Sequence, residues 1–336
     1  MKAIVLHGVG NPDMLRLEDV PDPVPSAGQV VVRLRAAALN HRDLFICQGQ
    51  YAGLRFPIIP GSDGVGVVAA VGPGVTGVRQ GDPVVINPSL EWGDDTRVEG
   101  PRWRILGLPE NGTFAGMVTV PAANVFPVPA GLSDEAAAAL PLAGLTAYRA
   151  VVTRGRVQRG ETVLVLGIGG GVATFALLIA KHAGARVLVT SSSDAKLERA
   201  RALGADAGFN YQTADWVTLA KEATGGAGPD LIVDGTGGAP FDQALDAVRS
   251  GGRVVTYGAT LGPVPQLTVR RIFWKLLDVL GTKMGSPEDF RGMLALFDQA
   301  RLRPVVDRVY PLAEAGQALA HMAQAAQFGK IVLRIA

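Results

Sequence analysis

The feature that most restricts the fold is the run Thr162-Val163-Leu164-Val165-Leu166, which ends in Gly167-Ile168-Gly169-Gly170-Gly171 and passes at once into an apolar-faced stretch from Val172 to His182. A short β-branched run followed by glycines and then helical periodicity predicts strand, tight turn, helix. Glycine lets the backbone turn sharply and approach a ligand closely, and the helix N-terminus behind it offers unpaired N–H groups and a favourable dipole. A glycine turn alone says little, but between a strand and a helix it predicts a dinucleotide site made by Gly167, Gly169, Gly170, Gly171 and Val172. The alternation continues: Arg186 to Thr190 is a second strand, Ala195 to Leu203 a charged helix, and Leu231–Asp234 and Arg253–Tyr257 are further strands. Such alternation predicts an α/β fold with a doubly wound parallel sheet of the Rossmann type.

The end of the second strand bears on which dinucleotide. An NAD-preferring site usually carries a carboxylate there for the ribose 2′-hydroxyl. Here Thr190 leads into Ser191-Ser192-Ser193-Asp194-Ala195-Lys196. Serine hydroxyls at Ser191 and Ser192 and the Lys196 ammonium suit a 2′-phosphate, so NADPH is the expected cofactor. The same serines also suit a helix cap, and Asp194 would restore NAD preference if it faced inward.

Residues before about 125 have a different texture. Val30–Ala36, Gly64–Gly72 and Pro83–Ile86 read as strands, and prolines are dense at 21, 23, 25, 57 and 60. Turn-rich β structure, as in a compact barrel, fits better than helix. Residues 88 to 112 form a long polar excursion without periodicity, and near Leu132 an alanine-rich helix begins behind Ser133. The tail from Gly285 carries an amphipathic helix near Phe290 to Gln299 and a last strand, Lys330 to Ile335. The expected division is 1–125, 126–284 and 285–336, with the tail returning to the first domain. A chain of 336 residues suits more than one core. Its formal charge of +2 offers no field for nucleic acid or an anionic membrane. One cysteine, Cys47, excludes internal disulfides and cysteine-rich metal sites and fits a reducing cytoplasm. No apolar run reaches the length of a membrane span.

With these segments in order, Gly61-Ser62-Asp63-Gly64-Val65-Gly66-Val67-Val68 and Leu140-Pro141-Leu142-Ala143-Gly144-Leu145-Thr146-Ala147-Tyr148 complete a pattern over essentially the whole chain. It resembles the medium-chain dehydrogenase/reductase superfamily, and most closely its zinc-lacking quinone oxidoreductase-like branch. The resemblance implies a GroES-like β-barrel-type catalytic domain beside the Rossmann domain. It also places Asn40, Ser62 and Leu142 where zinc members hold their catalytic metal. An amide, a hydroxyl and an isobutyl group are not zinc ligands, and residues 88–112 hold none of the four cysteines of the structural-zinc members. No metal is expected. Trp92 and Trp103 are candidates to pack the excursion in place of that zinc.

A metal-free site loses its Lewis acid for alkoxides, whereas a conjugated acceptor spreads its developing charge and needs only hydrogen-bond donors. The resemblance therefore implies hydride transfer from NADPH to a quinone or an α,β-unsaturated carbonyl, that is, to a small electrophilic acceptor. Asn40-x-x-Asp43 followed by Tyr51 resembles the quinone reductase segment. By that resemblance Asn40 touches the nicotinamide ribose or holds substrate, Tyr51 donates to the acceptor oxygen, and Asp43 buttresses the loop. Phenols stay protonated at neutral pH, so Tyr51 or water can supply the proton. The family layout also puts Thr146 at the nicotinamide, Tyr211 near the 2′-phosphate, Thr236 and Gly258 at strand-end turns, and Lys330 toward the cofactor. It implies a homodimer formed through the edge strand near Leu280 to Met284. Alcohol dehydrogenase-like or enoyl-thioester reductase activity is the alternative enzyme reading. A catalytically inactive NADPH-binding regulatory or structural protein is the alternative outside enzymology.

Overall fold

The structure is a computed structural model and describes residues 1–335. It divides into one unit made of Met1–Ala143 with the stretch from Gly285 onward, and a second unit, Gly144–Met284.

The second unit is a six-stranded, wholly parallel sheet. Its strands lie in the order Ala207–Asn210, Arg186–Ser191, Thr162–Val165, Leu231–Asp234, Arg253–Thr256, Asp278–Gly281. The central strands are buried on both faces, as their unbroken apolar runs require. Helices Gly171–His182, Asp194–Ala202, Trp216–Glu222, Gly238–Ala247 and Val269–Trp274 lie in the five connections. The order reverses beside Thr162–Val165, so the carboxyl ends of that strand and its neighbours face a switch point where ligands bind in open α/β sheets. The expected fold class is what the chain adopts.

The first unit is built on a seven-stranded, mostly antiparallel sheet. Val306–Pro311, Lys330–Arg334, Gln29–Ala38, Asp63–Val71, Pro83–Ile86 and Val125–Pro127 lie in that order, and Met117–Pro121 also pairs with Gln29–Ala38. The tail does return here: Val332 pairs with Ala38 and Arg334 with Ala36. The division falls near residue 143 where the sequence pattern put it at 125. Helix Asp134–Ala139 explains the shift, because Ala137, Ala138 and Ala139 pack on Ala36, Ala38, Val65 and Val332 of this sheet. No helix among the described residues is long and apolar enough to cross a membrane.

The excursion at 88–112 is ordered by its own side chains. A two-stranded ribbon, Ser89–Leu90 with Arg104–Ile105, closes its base. Trp92, 2% exposed, meets Trp103 edge to face at 6.0 Å. Both indole N–H groups are used, Trp92 to the Asp95 carbonyl at 2.9 Å and Trp103 to the Ser89 hydroxyl at 2.9 Å. Arg104 bridges Glu91 and Glu110. Replacing Trp92 by alanine removes the centre of this cluster and should cost about 3–5 kcal/mol. Urea unfolding checks it, and an unchanged midpoint would show that something else holds the lobe.

Candidate active site

In the second unit, the glycine turn is built for close approach to a ligand. Gly167 and Gly169 have φ of +67° and +130°, values that exclude most side chains. Thr190 clamps the turn from the next strand: its hydroxyl accepts from Gly167 N at 3.0 Å and its carbonyl from Ile168 N at 2.7 Å. Helix Gly171–His182 begins at Gly170 with no side-chain hydrogen bond to its first turn. By contrast, Ser193 and Asp215 cap helices Asp194–Ala202 and Trp216–Glu222. An uncapped N-terminus behind a glycine turn presents N–H donors and a positive dipole end to a pyrophosphate.

Beside the turn lies a cavity of about 220 Å³ lined by Leu166, Gly167, Thr190, Tyr211, Trp216 and Thr236, among others. Tyr211 and Thr236 are thus brought together with Gly167. Thr236 also donates to Asp234 Oδ1 at 2.6 Å, and Asp234 accepts from Thr236 N and Gly237 N, so this buried carboxylate braces its own turn. Burial pushes the Asp234 carboxyl above the usual range, against the pull of those donors. Gly258 packs against Gly235, whose carbonyl oxygen lies 3.3 Å from where a Gly258 Cβ would be. Lys196 runs across the turn: a Cβ on Gly169 would lie 3.0 Å from its Cδ and 3.3 Å from its Nζ. Ser192 is exposed, whereas Ser191 is buried and its hydroxyl accepts from Ser193 N at 3.1 Å. Asp194 is held by Asn210, whose amide N–H donates to its Oδ1 at 2.9 Å. Thr146 is buried in helix Pro141–Tyr148.

In the first unit, the sequence pattern treats Asn40-His41-Arg42-Asp43 as loop; it is the start of a seven-residue helix, His41–Cys47. Asn40 N donates to Asp43 Oδ2 at 2.8 Å and Asp43 N to the Asn40 carbonyl at 2.9 Å, which fixes the first turn. The Asn40 side chain points into the unit, donating to Asp63 Oδ2 at 2.9 Å and accepting from Lys330 Nζ at 2.7 Å. Lys330, expected at the cofactor, is buried here instead. Its ammonium donates to the Leu39 carbonyl at 2.6 Å, to Asn40 Oδ1 and to Asp63 Oδ2 at 2.9 Å, so all three N–H groups are spent within this unit. Arg42 Nη1 donates to Ser62 Oγ at 2.6 Å and to the Leu106 carbonyl at 2.8 Å, and its guanidinium lies 5.1 Å from the centre of the half-buried Tyr51 ring. The inward turn of Lys330 is not signalled by local sequence.

These contacts bear on the metal that zinc-type relatives of such a chain would hold. Asn40, Ser62 and the backbone of Leu142 do converge, since Leu142 N donates to Asp63 Oδ1 at 2.8 Å. Yet the two oxygens offered there, Asn40 Oδ1 and Ser62 Oγ, already accept from an ammonium and a guanidinium. No group of three His, Cys, Asp or Glu side chains suited to a metal occurs among the described residues. The residues present do not fit a catalytic zinc ion.

Burial, the largest cause, holds the Asp43 carboxyl up at about 6, opposed by the nearby charges of Arg42 and Lys330 and by the Asn40 backbone donor. Burial likewise lowers His41. An acid whose pKa rises on folding is favoured in its protonated form. Its stabilisation is complete below its unfolded pKa, near 3.8, and is lost as pH rises through about 6. Asp43→Asn keeps an oxygen for Asn40 N but does not titrate. Its thermal midpoint relative to the parent should therefore climb between about pH 4 and pH 6 and then level off. A difference that is flat across that window would show that Asp43 does not titrate there.

Residues 26–130 match the alcohol dehydrogenase GroES-like domain family, and residues 171–299 match the zinc-binding dehydrogenase family. A zinc-type alcohol dehydrogenase-like protein of Schizosaccharomyces pombe is 36% identical, covering 100% of this chain and 99% of its own. An acryloyl-coenzyme A reductase of Metallosphaera sedula is 31% identical, covering 99% of each. The crystal structure of an NAD-dependent alcohol dehydrogenase superposes with a TM-score of 0.95 at 42% identity over 100% of both chains. The two-unit fold, the glycine turn and these relatives agree: the chain belongs to the medium-chain dehydrogenase/reductase superfamily and is a pyridine-nucleotide-dependent oxidoreductase.

Proposed function

We propose that this oxidoreductase passes hydride from NADPH to a quinone or an α,β-unsaturated carbonyl compound, without a catalytic metal. The observation that carries the reading is the pair of cations bonded to Asn40 Oδ1 and Ser62 Oγ, where zinc-type relatives would need metal ligands. Hydride added to the β-carbon of an enone drives the C=C pair onto the carbonyl oxygen, and the resulting enolate is spread over three atoms. Fixed donors suffice for such charge, while a localised alkoxide calls for a stronger Lewis acid. Tyr51 is the donor assigned to the acceptor oxygen, with Tyr51 or water returning the proton to carbon. Asn40, fixed between Asp63 and Lys330, has one amide N–H left for cofactor or acceptor.

NADPH is favoured by the chemistry after Thr190. Ser192 is exposed, Lys196 reaches over Gly169, and Asp194 is engaged by Asn210. Enoyl-thioester reduction is a second reading, favoured by the acryloyl-coenzyme A reductase relative and requiring the same electronic steps. Steady-state oxidation of NADPH and NADH tests both, with 9,10-phenanthrenequinone, a 2-alkenal, an enoyl thioester and a simple alkanone as acceptors. Consumption of NADPH with a conjugated acceptor, unchanged by chelator and at least tenfold above NADH, is expected. Activity restricted to the alkanone, or dependent on added zinc, would overturn the reading.

We further propose a homodimer in which strand Asp278–Gly281 continues the six-stranded sheet into a second copy. That strand is the sheet's edge, and Val279 within it and Trp274 and Leu276 just before it are exposed. An unpaired edge flanked by large apolar side chains suits an antiparallel, two-fold-symmetric partner. Light scattering should give twice the chain mass, and Val279→Asp should shift it toward the monomer; a monomeric parent would refute the interface.

A further inference from the structure

Arg42 is only 7% exposed, yet no carboxylate oxygen lies within 4 Å of its nitrogens among the described residues. Its two acceptors, Ser62 Oγ and the Leu106 carbonyl, are neutral. Ser62 itself donates to that carbonyl at 2.7 Å, so the hydroxyl is oriented to receive Nη1 and adds no charge. Arg42 Nε is buried without a partner, and Nη2 has none among the described residues. The other charges of the cluster do not settle the account. Asp63 is taken by Lys330 at 2.9 Å. Asp43 is near enough for its charge to feel Arg42 but shares no hydrogen bond or ion pair with it, and its own Oδ1 is also unpartnered. A guanidinium largely out of water with only neutral acceptors favours an anion that completes it. Here the guanidinium is held rigidly by two hydrogen bonds, beneath the ring of the tyrosine assigned to the acceptor oxygen.

We propose that Arg42 is the anion-binding group of this site and stabilises the oxyanion that forms on the acceptor as hydride arrives. The inference rests on the hydride-transfer reading above and adds the group that receives the charge. The new C–H bond forms at the β-carbon with the hydride electron pair, the C=C pair shifts to join the α-carbon and the carbonyl carbon, the C=O pair moves onto oxygen, and that oxygen meets the guanidinium while Tyr51 donates from its other side. The proton goes to the α-carbon afterward, from Tyr51 or water, and the cofactor leaves oxidised. Arg42 thus supplies fixed positive charge without transferring a proton, which a group with five delocalised N–H donors does well.

Arg42→Lys and Arg42→Gln in the full chain test this with two readouts. The first is calorimetric binding of butanoate, a stable oxyanion, to protein saturated with NADP⁺. The parent should bind it, Arg42→Lys within about tenfold of the parent, and Arg42→Gln at least tenfold more weakly. The second is turnover of a 2-alkenal, where Arg42→Gln should lower kcat by about 10²–10³ with NADPH affinity unchanged. Equal butanoate affinity in parent and Arg42→Gln, or no binding by the parent, would overturn the proposal. So would a common loss of thermal stability and butanoate binding in both variants, which would make Arg42 a structural anchor for the lobe at Leu106. Arg42-dependent butanoate binding in a parent that reduces no conjugated acceptor would defeat the reaction assigned above and leave the anion site standing.

Discussion

Asp63 is the residue on which the first unit turns. Fully buried at the start of strand Asp63–Val71, it receives Asn40 Nδ2 and Lys330 Nζ on one oxygen and Leu142 N on the other. Those donors come from the head of helix His41–Cys47, the first residue of strand Lys330–Arg334 and the start of helix Pro141–Tyr148. A buried ion pair repays its desolvation only when the remaining lone pairs and protons are satisfied, and here every Lys330 proton and both Asp63 oxygens are. Removing either partner would strand a buried charge at a cost of about 3–5 kcal/mol. The pairing therefore fixes where the tail must return, and with it the direction of the Asn40 amide.

The same corner is held from the other side by glycines. A Cβ on Gly61 would lie 2.3 Å from Phe114, and one on Gly112 would lie 1.9 Å from the Gly61 carbonyl oxygen. Only bare backbone passes at that distance, so the 88–112 lobe must re-enter the unit against Gly61. That route brings the Leu106 carbonyl to Ser62 Oγ and Arg42 Nη1. The lobe is thus a wall of the polar cluster as well as a surface excursion. Its tryptophan pair and the Arg104 ion pairs set how firmly that wall stands.

What the sequence disclosed follows from how local each signal is. The parallel sheet was legible because Thr162–Val165, Leu231–Asp234 and Arg253–Thr256 are buried on both faces at their centres, where their runs are apolar. Strand Ala207–Asn210 was not, since it lies at an edge, half-buried, and contains a glycine. Helix His41–Cys47 was read as loop because its opening residues are polar and nothing local marks its burial. Lys330 was misplaced for a deeper reason. Its partners stand 267 to 291 residues away in the chain, and no spacing rule spans such a distance. The burial of Arg42 and the neutrality of its acceptors depend on Ser62 and Leu106, 20 and 64 residues away. Ser191, which the sequence pattern places just past the second strand, is that strand's last residue, and its inward turn leaves Ser192 as the exposed hydroxyl.

On the metal-free reading proposed above, side-chain cations in place of a metal change which reactions such a site favours. A divalent ion concentrates charge on one oxygen and so suits an alkoxide. A guanidinium spreads one charge over three nitrogens and gives directional N–H donors instead. It matches an oxyanion that is itself delocalised, as an enolate or a semi-reduced quinone is. Arg42 is anchored through neutral oxygens, so no carboxylate cancels the charge that the proposal assigns to the acceptor. Lys330, cancelled by Asp63, contributes position alone. On that proposal two cations at one corner divide the work, Lys330 holding the scaffold and Arg42 facing the chemistry, and the difference between them lies in whether a carboxylate stands within reach.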